Sequence, residues 1–300
     1  MVQMNSVRLI LCKKIYFLLC LLMVAIPVAA QEKTLSDETS CIPVRTVSYD
    51  KLAFDAGEEM SFTLHYKWGA INSDVGTATV ELDTLIYNGQ KSFKCTVLGK
   101  TTKFFDLFFK VREDFRSWFT CDGLKPLRFT RDTYEGNYRA KNSYYYDWKD
   151  DEPHIKADVF SSSRGQRDLQ LPLTKCTFDL PALFFYARNM DMSVVEPGKK
   201  YPMTFAIDDE IYNVYFILYG KETIKVKGLG TVNTIKFAAK LLEGEVFTGE
   251  EDMMVWISDD ENRIPVYFEA PLLVGNATGR ITSVKGLKHP FTSLVQDKRK

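Results

Sequence analysis

The chain has 300 residues, 45% of them hydrophobic and 13% aromatic, with 39 basic and 39 acidic residues. This length holds one large domain or two ordinary ones, and the apolar content supplies a substantial core. Both signs of charge are interspersed, which argues against a nucleic-acid-binding surface.

The first thirty residues read as a secretory signal peptide. Arg8, Lys13 and Lys14 form a basic start, Ile15–Ile26 is an unbroken apolar run, and Val28-Ala29-Ala30 offers small residues for cleavage after Ala30. The run is shorter than the ~20 residues a spanning helix needs. Leu18-Leu19 before Cys20 argues against a lipoprotein cleavage site. The expected location is the periplasm or the exterior. The segment holds three basic residues and no acid, so the remainder has a net charge of −3.

Residues 31–50 read as a polar leader. From residue 51 to 287 we expect one β-rich domain, followed by a tail over 288–300. Met60, Phe62, Leu64, Tyr66 and Trp68 alternate with polar residues, the period-two pattern of a half-buried strand. Gly69–Gly76 leads to Thr77–Tyr87. Asn88-Gly89 predicts a type I′ hairpin turn into Lys91–Leu98. Thr101–Phe109 reads as one or two helical turns or as a strand. Val111–Cys121 is extended. Leu127–Glu135 and Tyr138–Trp148 form a hairpin around Gly136-Asn137, and His154–Phe160 is a strand followed by the polar loop Ser161–Arg167.

Thr177–Asp191 interrupts the β pattern. Asp179 is a good N-cap and Pro181 fits the first turn. Leu180, Leu183, Phe184 and Ala187 recur at helical spacing, and Arg188 suits the negative end of the helix. We expect one principal helix near 179–191 that docks these four apolar residues on a sheet. Strands resume over Tyr201–Ile207, Ile211–Tyr219, Glu222–Lys227, Thr231–Leu241, Met253–Ser258, Ile264–Glu269 and Ala277–Lys285. The predicted class is mainly β, with large antiparallel sheets arranged as a sandwich or open barrel.

Export permits disulfides. Cys41, Cys95, Cys121 and Cys176 allow three pairings, and spacing does not choose among them. Cys95 alternates in phase with Phe93 and Val97, which turns it inward as a bridge partner or as a small buried hydrophobe.

The order of GEEMSFTLHYKWGAINSDVGTATVEL (57–82), FFKVREDFRSWF (108–119), DLPALFFYARNM (179–190) and VWISDDENRIPVYF (255–268) resembles the bacterial exported family catalogued as domain of unknown function 3108. The late pattern consists of Trp256, Ser258, Asp260, Arg263, Pro265 and Val266. The resemblance implies an exported Gram-negative protein with an all-β fold similar to YmcC-like proteins. It implies structural weight for Asp179, Leu183, Phe184, Arg188, Trp256, Asp260 and Arg263. It brings no catalytic residues.

Signatures of chemistry are sparse. His65 alternates with solvent-facing residues, His154 opens a strand and His289 lies in the tail. Zinc, nucleophile-elbow and phosphate-loop motifs are missing, so no catalytic residue, metal ligand or cofactor is assigned. Asp259-Asp260-Glu261-Asn262 gathers oxygen ligands but lacks the spacing of a calcium loop, and reads as a hairpin tip with Arg263 pairing one of its acids. Tyr144, Tyr146 and Trp148 share one strand face and form the candidate stacking platform for sugar rings, with core packing as the competing reading. Phe104, Phe105, Phe108 and Phe109 pose the same choice for a lipid groove. The reading that follows is an exported envelope protein binding a lipid or glycan without catalysis. The alternatives are a hydrolase using paired carboxylates and a structural partner in an envelope complex.

Overall fold

The computed structural model describes residues 41–149, 152–241, 253–272 and 275–295. The expected signal peptide and the leader as far as residue 40 lie outside them. Among the described residues, fifteen strands form one sheet: β1 (Glu58–Trp68), β2 (Ile71–Tyr87), β3 (Gln90–Thr101), β4 (Val111–Thr120), β5 (Pro126–Glu135), β6 (Tyr138–Asp147), β7 (His154–Ser161), β8 (Gly165–Pro172), β9 (Thr177–Phe178), β10 (Lys200–Ile207), β11 (Glu210–Val226), β12 (Gly230–Leu241), β13 (Met253–Ser258), β14 (Pro265–Pro271) and β15 (Asn276–Lys285). Two helical segments interrupt them, α1 (Lys103–Asp106) and α2 (Leu180–Ala187).

The sheet order is β8 through β1 in reverse, then β15 down to β9. Two antiparallel meanders thus meet at β1 and β15, and only the short β9 runs parallel to its neighbour β10. The two outermost strands, β8 and β9, are consecutive in the chain. Laid flat, the sheet would separate them by roughly 65 Å at ordinary strand spacing. The link from Pro172 to Thr177 reaches about 18 Å at most. The sheet therefore curls until its edges approach, as an open barrel.

Alternation sets what fills the curl. On β1, Glu58, Met60, Phe62, Leu64 and Tyr66 are buried, and on β4 Val111, Glu113, Phe115, Ser117 and Phe119 are. Helix α2 lies against this inner face. Phe185 is fully buried, with its ring 4.7 Å from Phe54 and 5.8 Å from Phe119. The Asp179 side chain accepts from the Ala182 N–H as the N-cap. The helix ends earlier than Asp191, because Arg188 turns to pair with Glu58 of β1 and donates to the Asn262 carbonyl at 2.8 Å. The buried set is also broader than one stripe. Pro181, Ala182, Leu183 and Phe185 are buried, while Leu180, Phe184 and Ala187 are partly so. A helix enclosed by a curled sheet meets apolar neighbours nearly all round, so its sequence is apolar nearly all round.

Other departures have similar causes. Strand β8 falls in a segment read partly as polar loop, since an edge strand with a solvated face needs little apolar sequence. The β1–β2 turn is only Gly69-Ala70, and the polar stretch Asn72–Asp74 already belongs to β2. Within the leader, Cys41 is joined to Cys176 by a disulfide, whereas Cys95 and Cys121 are buried free thiols. Residues read as tail run along β12, with the Val295 N–H bonded to the Thr231 carbonyl at 2.8 Å.

Candidate functional site

Strand β6 shows how the pleat redistributes the aromatic run. Tyr144 and Tyr146 are buried in the interior and Tyr145 is 44% exposed on the outside. The Tyr144 hydroxyl donates to the Asp208 carbonyl at 2.9 Å, and burial pushes its pKa well above the usual phenol value. Trp148 lies beyond the end of β6. Its indole donates to the Pro126 carbonyl at 2.7 Å, and the Lys125 ammonium lies 5.3 Å from its ring. Tyr144 and Tyr146 therefore form part of the packed core, and the face of β6 that meets solvent carries Tyr145.

Cross-strand register places Tyr145 in a row. Lys94 of β3 is opposite Trp118 of β4, Trp118 opposite Arg128 of β5, Arg128 opposite Tyr145, and Tyr145 opposite Lys156 of β7. Cation and aromatic alternate across five adjacent strands. The Arg128 guanidinium sits 5.0 Å from the Trp118 ring and 5.2 Å from the Tyr145 ring. Lys94 is 5.9 Å from Trp118, and Tyr87 extends the aromatic surface with its ring 6.2 Å from Trp118. Asp83 ends the row on β2 and Gln170 ends it on β8. Arg128 Nε is buried without a hydrogen-bond partner, and the Trp118 and Tyr145 rings flank the guanidinium.

Two strand spacings separate the Trp118 and Tyr145 backbones, about 10 Å. Aromatic faces at this separation suit stacking on sugar rings, and the flanking cations suit carboxylate or phosphate groups. Sequence reading missed this row because its members lie on different strands and only the register aligns them. The available signal was only that Trp118 lies on the face opposite Phe119, and Tyr145 on the face opposite Tyr144, within their own strands.

The interior holds a second polar cluster. Glu113 and Glu135 are both buried, and burial together with the charge of Glu135 raises the Glu113 pKa well above the ordinary carboxyl value. Thr133 donates to Glu113 at 2.5 Å. Nearby, buried Arg131 pairs with Asp208 at the tip of the β10–β11 hairpin, and Asn142 donates to the same carboxylate at 3.1 Å. Asp209 beside it bridges Arg164 and Arg167. Burial raises the Asp209 pKa, but these two arginines outweigh it and hold the group below its usual value. These contacts fasten one meander to the other beside a shallow cleft lined by Asn142, Ser161, Arg164, Arg167, Asp208 and Asp209.

The acidic loop is committed to structure. Asp260 accepts from the Ser258 and Ser293 hydroxyls at 2.8 and 2.7 Å and from the Asn262 N–H. Glu261 pairs with Arg45 and Asp259 with Lys221. Arg263 is buried and donates to the Met190 carbonyl instead of pairing with an acid of its own loop, because its left-handed backbone turns it inward. Trp256 donates to Glu222 at 2.5 Å. Among the described residues no group of three or more His, Cys, Asp or Glu side chains is arranged to hold a metal ion. His65 is bonded through both ring nitrogens, to Asp74 at 2.9 Å and Asn72 at 2.8 Å.

The phenylalanine-rich segment divides in two. Phe105 and Phe109 are buried, whereas Phe104, Leu107 and Phe108 are 63%, 80% and 56% exposed on α1 and the turn after it. Among the described residues no helix is long and apolar enough to cross a membrane.

The profile of a family described as "Protein of unknown function (DUF3108)" matches residues 61–282. No curated protein is significantly similar to the chain. Among solved structures, a β-barrel-like protein of domain of unknown function DUF1849 from Brucella abortus is similar, with a TM-score of 0.51 and 11% identity over 77% of this chain and 97% of that one. A protein from Parabacteroides distasonis described as a candidate lipoprotein aligns over 78% of this chain and 99% of that one, with a TM-score of 0.33 and 9% identity. At these identities the first likeness is one of fold alone.

Proposed function

The chain belongs to this DUF3108 family, and from that premise we propose that it is an exported envelope protein that binds an anionic glycan without catalysis. The binding surface is the outer face of β3–β7. The observation that carries this reading is the row Lys94, Trp118, Arg128, Tyr145 and Lys156. A structural role for single cation–aromatic pairs is common, each contributing about 0.5–1 kcal/mol at exposed sites. Five alternating members in one row also make a flat, chemically repetitive surface, matched to a polymer with repeating rings and charges. Export is supported by the basic start and apolar run of residues 1–30. The paired-carboxylate alternative loses support here, because Glu113 and Glu135 face the interior.

The test is binding of uronic-acid-containing and phosphorylated oligosaccharides, with neutral oligosaccharides as the comparison. Acidic glycans should bind more tightly, and binding should weaken with salt. Trp118→Ala and Tyr145→Ala should each weaken it about three- to tenfold. Equal binding of neutral and acidic glycans, or full binding by the folded double variant, would overturn the reading.

A further inference from the structure

The β3–β4 connection carries a second surface, independent of the outer-face row. Thr102 caps α1, and Phe105 and Phe109 anchor the turn inward. The Phe109 ring packs against Gly136 of the β5–β6 turn, where an added Cβ would lie 2.5 Å from that ring. With its base fixed, the turn holds Phe104, Leu107 and Phe108 outward at the end of the sheet, and the Phe104 and Phe108 rings meet at 5.4 Å. This is an exposed apolar tip anchored at its base by buried rings.

Its rim is cationic. Lys100, Lys103 and Lys110 are exposed around the tip. Lys110 lies over the Tyr134 ring at 5.1 Å, and Arg139 lies over the same ring at 3.0 Å. The acid within the turn, Asp106, is neutralised: Arg112 engages both its oxygens and holds its pKa below the ordinary value. The turn therefore presents exposed apolar side chains together with exposed lysines.

We propose that this tip docks on an anionic lipid bilayer. Phe104, Leu107 and Phe108 would enter the headgroup–acyl boundary while Lys100, Lys103 and Lys110 contact the anionic headgroups. Three apolar side chains give weak, reversible insertion, and the basic rim supplies the second signal that firm attachment requires. From Arg112 to Trp118, strand β4 rises about 20 Å, so a docked tip would hold the outer-face row that far from the membrane.

The experiment is flotation of the purified protein with phosphatidylcholine vesicles, with and without phosphatidylglycerol. The native protein should float with the anionic vesicles and much less with the neutral ones. The triple variant Phe104→Ser, Leu107→Ser, Phe108→Ser should lose flotation while keeping the native unfolding temperature, since all three side chains are largely exposed. Each of Lys100→Glu, Lys103→Glu and Lys110→Glu should weaken binding about fivefold or more. Equal flotation of the native protein and the folded triple variant would overturn the proposal. Failure of the native protein to float, or a concentration-dependent dimer that the triple variant abolishes, would overturn it as well. Glycan binding by the triple variant should be unchanged, which separates this outcome from that of the outer-face row.

Discussion

Replacing Asp179 with Asn should stabilise the protein at neutral and alkaline pH and leave it unchanged in acid. Asp179 is fully buried, and desolvation raises its pKa from 3.8 to about 7 despite hydrogen bonds from Ala182 N–H and the Ser117 hydroxyl. Between those two values the native state holds a proton that the unfolded chain has released. Stability therefore falls as pH rises through this window, and the full penalty is present above it. The shift corresponds to about 4 kcal/mol. Asn keeps the oxygen that caps Ala182, and its amide can donate to the Ser117 oxygen. Asp179→Asn should thus gain up to about 4 kcal/mol near pH 8, or about 8–16 °C in Tm for a protein of this size, and nothing near pH 4. Urea unfolding of both proteins across this range measures the difference, and the other carboxyl groups, Glu113 included, cancel in it. A difference that does not change with pH would show that Asp179 is ionised at no cost and refute the reasoning.

Leu183→Ala, at a site 5% exposed among the residues packed on α2, should cost about 2–5 kcal/mol in chemical unfolding. A loss below about 1 kcal/mol would make the helix peripheral. Replacing Cys41 and Cys176 with Ser removes a bridge across 135 residues and should cost about 5 kcal/mol on loop entropy; equal unfolding midpoints for the variant and the oxidised native protein would contradict this.

Much of the fold was legible because local chemistry dictated it. Asn88 and Gly89 adopt φ of 48° and 80°, as the two-residue turn between β2 and β3 demands, and β1 buries every second residue as its sequence alternates. Asp179 caps the helix for the reason its sequence position suggests. Long-range choices were not legible. The Cys41–Cys176 pairing depends on the leader reaching the β8–β9 link, which no spacing encodes. The outer-face row depends on the registers of β3 to β7, each set by a different turn or bulge. Tyr144 and Tyr146 could be placed on one face of their strand, but sequence offered no way to tell which face the curl encloses.

The junction of β1 with β15 has a consequence for how the chain folds. Lys285 pairs with Glu59 across a sequence separation of 226 residues, while most other neighbouring strands are joined directly by short connections. Each meander can zip up hairpin by hairpin, with small loop-closure entropy at each step. The pairing in the middle of the sheet must wait for the last strand and incurs the largest closure entropy. A chain truncated before Asn276 would lose the centre of the sheet and retain its rims. It would expose the β1 edge, lined by Met60, Phe62 and Leu64, to pairing with another chain.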